Sequence, residues 1–190
     1  MIRVILFSLA SYLLGCITFA YYITKIFAGK NLNEIGSKSL GATNAARVLG
    51  KKGFIAVFLL DFCKGMLTVW LAQHFGFSNS EIFLFAAFVT LGHIFPIQLK
   101  FKGGKGVSPF TGAMFATNPY LIFPFVAAFL VSYLTIKNYT ISGLIAIVLL
   151  PLYLIYFGTS YICIVYSIFV ILVIVFAHRS NIADIYLSKR

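Results

Sequence analysis

Residues 82–117 read IFLFAAFVTLGHIFPIQLKFKGGKGVSPFTGAMFAT, in which two apolar runs flank a short segment of glycines and lysines. The run 82–99 has the length and apolarity of a membrane span. In the segment 101–106, glycines allow successive amide groups to turn inward around an anion, and a helix beginning near Val107 adds its positive end. This pattern predicts a phosphate-binding loop between two membrane helices, with a plain cytoplasmic turn as the alternative. The polar residues of the predicted loop are Lys102, Gly103, Gly104, Lys105 and Gly106.

The composition of the whole chain places this loop in an integral membrane protein. Of the 190 residues, 61% are hydrophobic and 10% are charged, and the mean hydropathy is +1.00, which is too apolar for one soluble globule. The net charge of +11 would suggest a nucleic-acid partner in a soluble protein. Here the cations lie in short gaps between apolar runs, so we expect membrane lipids with anionic headgroups and phosphorylated substrates as partners, and no nucleic acid.

Seven apolar segments predict an all-α integral membrane protein with seven transmembrane helices, arranged as a single membrane-embedded domain over residues 1–190. The segments are 2–27, 54–75, 82–99, 107–117, 120–136, 141–157 and 161–177. The fourth is expected to cross as a short or broken helix. Apart from Arg3, the cations that flank the segments gather on one side, so the positive-inside rule places the N-terminus outside and the C-terminus in the cytoplasm.

The polar stretch 28–53 contains a second candidate for phosphate binding. A short helix is expected over 42–49, because glycines bound it on both sides. On that helix Thr43 and Arg47 lie four residues apart and face the same way, and a hydroxyl beside a guanidinium suits a phosphate. The alternative is a solvated loop whose cations only fix the topology.

Some polar residues lie inside the apolar segments. Asp61 and Lys64 are three residues apart on a helix and are predicted to form a structural ion pair, with a proton relay as the alternative. His93 is expected to make an ordinary hydrogen bond at a buried helix end, or else to shape the loop that follows it. The cysteines lack metal-ligand spacing and are predicted to be small buried residues. They are Cys16, Cys63 and Cys163.

Several enzyme classes lack their motifs in this sequence. There is no Gly-x-Ser-x-Gly elbow, and Ala183 stands where a His-x4-Asp motif beginning at His178 would need its acid. The three histidines and four acids are scattered along the chain, so no metal and no cofactor are expected. What remains is a cationic, glycine-rich site that suits phosphate binding and the stabilisation of developing negative charge.

Groups of residues from the first span to the tail resemble the three motif regions of the PlsY family, the bacterial acyl-phosphate:glycerol-3-phosphate acyltransferases. They occur in the family's order and spacing. The groups are Gly36-Ser37 with Gly41-Ala42-Thr43-Asn44 and Arg47; Leu60-Asp61 with Lys64-Gly65; Gly92-His93-Ile94-Phe95-Pro96 with the loop 101–107; and His178-Arg179 with Asn181-Ile182.

The resemblance implies an enzyme of the bacterial cytoplasmic (inner) membrane that acts in phospholipid biosynthesis, and we expect a monomer. It would transfer a fatty acyl group from acyl phosphate to the 1-hydroxyl of sn-glycerol 3-phosphate, giving lysophosphatidic acid and phosphate. The resemblance also implies that no acyl-enzyme would form and that a substrate phosphate would serve as the base. The residues carried over to the reacting centre are Ser37, Arg47, Lys105, His178 and Asn181, the last four as hydrogen-bond donors. Those carried over to phosphate binding are Thr43, Asn44, His93, Gly103, Gly104 and Gly106.

The chain departs from the family pattern at several positions. Lys38 and Ser39 stand where the family has Gly and Asn, which either alters the loop or adds a phosphate contact. Before the sixth span the family has a Ser at the place of Ile141, so a neighbouring hydroxyl, Thr140 or Ser142, is expected to replace it. Ser108-Pro109 stands in place of Ala-Thr, and the tail ends at 188–190 without the expected Gly-x-Glu.

Two other functions remain open from the sequence. A transporter or channel for a phosphorylated metabolite would use the same cations, but it needs polar groups at mid-depth, of which Asp61 and Lys64 are the main candidates. A scaffold that binds anionic lipid would not need the glycine-rich loop or the spacing of His178 and Asn181.

Overall fold

The structure, a computed structural model, describes the backbone of residues 1–187 and the side chains of residues 1–183. Throughout that part the regular structure is helical, without strands. The helices are α1 (Ile2–Cys16), α2 (Phe19–Ala28), α3 (Ala42–His74), α4 (Asn79–Ile94), α5 (Val107–Thr117), α6 (Ile122–Ile136), α7 (Tyr139–Val148), α8 (Leu150–Tyr156), α9 (Tyr161–Ala177) and α10 (Arg179–Leu187). Residues 188–190, where the tail departs from the family pattern, lie outside the described residues.

The helices confirm an integral membrane architecture. By length and composition, five helical segments of the described chain are able to cross a membrane. They are Ile2–Ala28, Ala42–His74, Asn79–Leu99, Pro119–Ile136 and Tyr139–Tyr156. The apolar helix α9 is shorter, and α5 has only 11 residues. Seven crossings and the orientation of the termini therefore stay predictions.

The first predicted span is broken into two helices. Helix α1 ends at Cys16, Ile17 and Thr18 are extended, and α2 begins at Phe19. The break frees backbone carbonyls inside the bundle, and side chains from other helices satisfy them: Lys64 donates to the carbonyls of Gly15 and Ile17. The predicted span over 2–27 is confirmed as Ile2–Ala28, and the break within it was not predicted because the groups that stabilise it lie far away in sequence.

The predicted short helix and the second span form one bent element. Helix α3 begins at Ala42 after its N-cap Gly41 and runs to His74. Gly50 interrupts the helical backbone with φ 65° and ψ −160°, a conformation that glycine adopts without a steric penalty. The start at Ala42 and the break at Gly50 confirm the sequence prediction, whereas the expected gap before residue 54 is absent.

Among the later helices, some bounds match the predicted segments and one segment is divided. The bounds of α5 and α9 match the fourth and seventh predicted segments. The sixth segment is divided into α7 and α8, and Pro151 lies in the first turn of α8. Proline lacks the amide hydrogen that would continue the helix, which accounts for the division.

Two pairs of helices approach closely at glycines. A Cβ added to Gly15 of α1 would lie 2.2 Å from the carbonyl oxygen of Val89 in α4. A Cβ added to Gly65 of α3 would lie 2.0 Å from the carbonyl oxygen of Pro109 in α5, and one on Gly112 would lie 2.1 Å from that of Phe62. Small residues that allow such backbone contacts are typical of membrane helix pairs. The second pair holds α3 against α5, the two helices whose N-terminal ends carry the predicted phosphate contacts.

Arg3, the exception to the charge pattern, is bound to the turn between α3 and α4. It donates to the carbonyl of Phe75 and lies 4.2 Å from the ring centroid of Phe77.

The three cysteines differ in exposure. Cys63 is exposed, contrary to prediction, whereas Cys16 and Cys163 are buried. The buried face of α3 includes Asp61 and Lys64, so Cys63 between them points outward.

Candidate active site

The three predicted polar regions meet around one cavity at one end of the bundle. The cavity has a volume of about 1010 Å³. Lys105, from the glycine-rich loop, donates to the side-chain oxygen of Asn181 in α10, which joins the loop to the tail. The polar residues that line the cavity include Ser37, Thr43, Asn44, Arg47, His93, Lys105, His178 and Asn181. Residues of all three regions thus line one cavity, and their roles in a reaction stay predictions.

His178 caps the C-terminus of α9 and is 5% exposed. Its Nδ1 lies 2.8 Å from the carbonyl oxygen of Ile174, which only accepts hydrogen bonds, so Nδ1 carries the hydrogen. Burial lowers the pKa of His178 to about 4; the bond to Ile174 opposes this shift and the charge of Lys105 adds to it. The ring is therefore neutral at pH 7, with an unprotonated Nε2. Nε2 is then able to accept a hydrogen bond but not to donate one, whereas the sequence prediction made His178 a donor.

The glycine-rich loop folds back onto the end of α4. The amide of Gly103 donates to the carbonyl of Ile94 at 3.1 Å, and that of Gly104 donates to the carbonyl of His93 at 3.0 Å. A Cβ on Gly104 would lie 2.0 Å from His93 Nε2, so only glycine permits this approach. The sequence predicted that these amides turn inward around an anion. Instead, both are hydrogen-bonded to the protein. Helix α5 does begin at Val107, as predicted.

Asn44 organises the polar stretch from within. It is 2% exposed, and its Nδ2 donates to the carbonyls of Ile35 at 2.9 Å and Ser39 at 3.0 Å. Its Oδ1 accepts from the amide of Ser37 at 3.2 Å. The side chain of Asn44 is thus engaged with the loop, which favours a role in shaping it over the predicted phosphate contact.

Thr43 and Arg47 are exposed side chains of the first two turns of α3. Both line the cavity, as expected for residues four apart on one helix face. Ser37, in the preceding loop, is also exposed and lines the cavity.

A smaller cavity of about 300 Å³ adjoins the first and shares Ser37 and Lys105 with it. Its lining also contains Lys38, Lys102 and Arg179, and no acidic residue among the side chains described, 1–183. Lys38 has φ 57°, so it keeps the left-handed backbone that a glycine would adopt freely. The loop shape is retained with lysine, and an additional cation is placed at the site.

The large cavity has an apolar part that was not predicted from the sequence. Its wall is formed by side chains of α3, α5 and α6. They are Phe54, Ile55, Phe58, Phe62, Phe115, Phe125, Val126 and Phe129. The signal was present in the four-residue spacing of Phe54, Phe58 and Phe62, which places three rings on one helix face.

The predicted ion pair is present and belongs to a larger buried group. Asp61 Oδ1 lies 2.8 Å from Lys64 Nζ, which confirms the contact expected from their spacing. His93 Nδ1 lies 2.9 Å from Lys64 Nζ and 3.4 Å from Asp61 Oδ1. The pair therefore adjoins the site instead of being confined to the span.

The two candidate replacement hydroxyls have different positions. Ser142 is fully buried and donates to the carbonyl of Asn138 at 2.9 Å. Thr140 lines the large cavity. Of the two, Thr140 is the residue that belongs to the cavity lining.

Two solved structures that match this fold are forms of one membrane acyltransferase. The glycerol 3-phosphate form of PlsY (YgiH), an integral membrane glycerol 3-phosphate acyltransferase, matches with a TM-score of 0.91 and 31% identity, covering 99% of this chain and 94% of that one. The lysophosphatidic acid form of PlsY (YgiH) matches with a TM-score of 0.88 and the same identity and coverage. The fold and the cavity thus define a helical membrane acyltransferase.

Sequence relatives specify the family. A family model described as glycerol-3-phosphate acyltransferase matches residues 5–187. A glycerol-3-phosphate acyltransferase of Pelagibacter ubique (strain HTCC1062) is 41% identical over 175 residues, which cover 92% of this chain and 90% of the relative. Glycerol-3-phosphate acyltransferase 1 of Bacillus thuringiensis subsp. konkukian (strain 97-27) is 37% identical over 174 residues, covering 92% and 96%. The chain belongs to the glycerol-3-phosphate acyltransferase family.

Proposed function

We propose that this protein transfers a fatty acyl group from acyl phosphate to the 1-hydroxyl of sn-glycerol 3-phosphate, in the cytoplasmic membrane of a bacterium. The observation that carries the proposal is the composition of the large cavity, which joins a cationic polar end to an apolar wall. Such a cavity suits one substrate with a long chain and a phosphate, together with a second, small phosphorylated substrate. Membership of the family supports the same reaction.

In the proposed reaction, the hydroxyl oxygen attacks the carbonyl carbon of acyl phosphate, and the bond from that carbon to the phosphate oxygen breaks. The hydroxyl proton ends on the released phosphate, so atoms and charges balance. His178 Nε2 accepts the hydrogen bond of the attacking hydroxyl and orients it. A phosphate group, with a second pKa of about 6, is a stronger base than His178, whose pKa is about 4, and is the final proton acceptor.

Positioning supplies most of the proposed rate enhancement. Acyl phosphate already has a good leaving group, and holding two reactants in attack geometry supplies about 7 to 11 kcal/mol. Arg47 of α3 and Lys105 of the glycine-rich loop both line the cavity, and their positive charges reduce the repulsion between two phosphates. Because the amides of Gly103 and Gly104 are engaged, the Lys105 side chain and the N-terminus of α5 are the anion contacts on that side.

Seven crossings are supported by the contact between Lys105 and Asn181. Lys105 precedes α5 and Asn181 follows α9, so the chain between them begins and ends at the same end of the bundle. If α6, the α7–α8 pair and α9 each cross, α5 must cross as well. Its 11 residues rise about 16 Å, roughly half of a ~30 Å hydrocarbon core. The 3₁₀ turn Pro119–Leu121 continues the path.

An assay with purified protein in lipid tests the reaction. We expect acyl phosphate and glycerol 3-phosphate to give lysophosphatidic acid and phosphate, and acyl-CoA not to replace acyl phosphate. Separate alanine variants of Arg47, Lys105 and His178 should each lower kcat at least ~100-fold, as is typical for groups that stabilise developing charge. Lys52→Ala is the matched control, because Lys52 is exposed and lines neither cavity. Uptake of labelled glycerol 3-phosphate into proteoliposomes, without turnover, would instead support the transporter.

A further inference from the structure

Lys64 makes an unusual set of buried contacts beneath the candidate site. Its ammonium group lies 3.1 Å from the carbonyl oxygen of Gly15, 2.7 Å from that of Ile17 and 2.9 Å from His93 Nδ1. Asp61 Oδ1, 2.8 Å away, balances the charge. Lys64 and His93 are each 3% exposed and Asp61 is 1% exposed, so water does not replace these partners.

These contacts assign the hydrogen atoms of the cluster. An ammonium group has three N–H bonds and no lone pair, so Lys64 donates to at most three of its four near neighbours. The two carbonyls and His93 Nδ1 have the geometry of hydrogen bonds, whereas Asp61 Oδ1, although 2.8 Å away, forms an ion pair without a hydrogen bond. His93 Nδ1 must then be an unprotonated acceptor. The competing arrangement, in which Nδ1 carries a hydrogen and donates to Asp61, has a distance of 3.4 Å against 2.9 Å for the contact with Lys64. The shorter contact favours Lys64 as the donor.

A neutral imidazole that accepts at Nδ1 carries its hydrogen at Nε2. Nε2 of His93 lies beside Gly104, close to where a Cβ of that residue would be, and His93 lines the large cavity. His93 and His178 both line this cavity, so the donor and the acceptor belong to side chains of one site.

We propose that Lys64, with Asp61 as its counter-ion, is a positioning residue that holds His93 as an Nε2–H donor to an anionic oxygen of the substrate. This rests on the proposed function for the identity of the anion, but the assignment of the hydrogen does not. The site then contains two imidazoles fixed in opposite tautomers, one donating to an anion and one accepting from a hydroxyl.

The same ammonium group links this device to the backbone. The carbonyls of Gly15 and Ile17 belong to the break between α1 and α2, which Lys64 stabilises. The break supplies the fixed acceptors that orient Lys64, and Lys64 in turn orients His93. An isolated Asp61–Lys64 pair would not account for the break.

Solid-state NMR of protein labelled with ¹⁵N-histidine, in lipid and without substrate, tests the tautomers directly. We expect His93 to have an unprotonated Nδ1 and a protonated Nε2, and His178 to have the reverse. The spectrum of His93→Gln assigns the signals. A protonated Nδ1 of His93 in the wild-type protein would overturn the proposal whether or not the enzyme reaction is confirmed.

Lys64→Met provides the second measurement. Without the ammonium group, Nδ1 of His93 should become protonated and donate to Asp61, while the signals of His178 stay unchanged and report an intact fold. An unprotonated Nδ1 in a folded Lys64→Met protein would contradict the assigned role of Lys64. If this variant does not fold, the wild-type spectrum alone still decides the tautomer.

Kinetics separate positioning from general structural support. A glutamine at position 93 has a side-chain amide that donates near the Nε2 position without help from Lys64. When His93 is present, we expect Lys64→Met to raise KM for a phosphorylated substrate by about tenfold or more, because the substrate loses one hydrogen bond to a charged group. In the His93→Gln background the effect should fall below about threefold. Equal effects in both backgrounds would show that Lys64 does not act through His93.

Discussion

At the scale of single residues, Lys38 combines backbone strain with a useful charge. A lysine at φ 57° is destabilised by about 1 kcal/mol relative to a conformation with negative φ. Lys38→Gly should therefore raise the thermal unfolding midpoint, whereas Lys38→Ala should not, because alanine keeps the strain. Both variants should raise KM for glycerol 3-phosphate, since both remove a cation from the smaller cavity. An unchanged KM in both would remove Lys38 from the phosphate contacts.

Gly104 is predicted to tolerate no side chain. In Gly104→Ala the new Cβ would lie 2.0 Å from His93 Nε2, so either the loop or the imidazole must move. We expect kcat to fall at least ~10-fold, because displacement of groups at the reacting centre by about 1 Å has large effects on rate. Gly158→Ala is the control: Gly158 has φ 69° and open space around its Cα. That variant should lose some stability and keep its activity.

The tautomer and low pKa of His178 predict a stability change with pH. Its folded pKa, about 4, lies below the ordinary value of 6.5, so the unfolded chain binds more protons between these values. The neutral ring of His178 therefore does not lower the free energy of unfolding above pH 6.5. As the pH falls toward 4 and below, that free energy decreases by about 3 kcal/mol at most. His178→Gln should show a flatter dependence of the thermal midpoint between pH 4 and 6.5. The same dependence in both proteins would contradict the neutral buried ring.

At the scale of helices, the contact between α3 and α5 depends on glycines. A Cβ on Gly112 would lie 2.1 Å from the carbonyl oxygen of Phe62, so Gly112→Ala should separate the two helices. We expect a lower unfolding midpoint together with reduced activity, because α3 carries Arg47 and α5 follows Lys105. Gly143→Ala in α7 has no atom within 4 Å of the new Cβ and should keep or raise the midpoint, since alanine favours helices. Equal midpoints for the two variants would mean that the α3–α5 contact is not tight.

Helix boundaries that follow local rules were predictable from the sequence. The start of α3 after Gly41, its bend at Gly50 and the start of α5 at Val107 all follow from glycine positions. The break at residues 17–18 was not predictable, because neither residue is Gly or Pro. It is stabilised by Lys64 and by Gln98, which donates to the carbonyl of Cys16.

The candidate site was predictable in membership but not in hydrogen bonding. The charges, the spacing and the family resemblance identified Arg47, Lys105 and His178, which line one cavity. The sequence did not indicate that the amides of Gly103 and Gly104 bond to α4, nor that His178 carries its hydrogen at Nδ1. Those features depend on which backbone carbonyls lie nearby in the folded chain.

At the scale of the whole molecule, topology is the open prediction. With the natural cysteines replaced by alanine, cysteines introduced at positions 30 and 100 should react with a membrane-impermeant maleimide from the cytoplasmic side only. Cysteines at positions 79 and 159 should react from the outside only. Position 159 is decisive, because it changes sides if α5 does not cross. Labelling of positions 100 and 159 from the same side would exclude seven crossings.

The apolar wall of the cavity is also part of the outer surface of the bundle. Phe54 is 39% exposed, Ile55 55% and Val126 42%, so this wall is open sideways, toward what would be hydrocarbon in a membrane. A lipid-like product can then leave into the bilayer while phosphate leaves into water, and neither has to pass through the other's solvent. The surrounding lipids become competitors for the wall. Turnover should therefore depend on the chain length and packing of the host membrane as well as on substrate concentration.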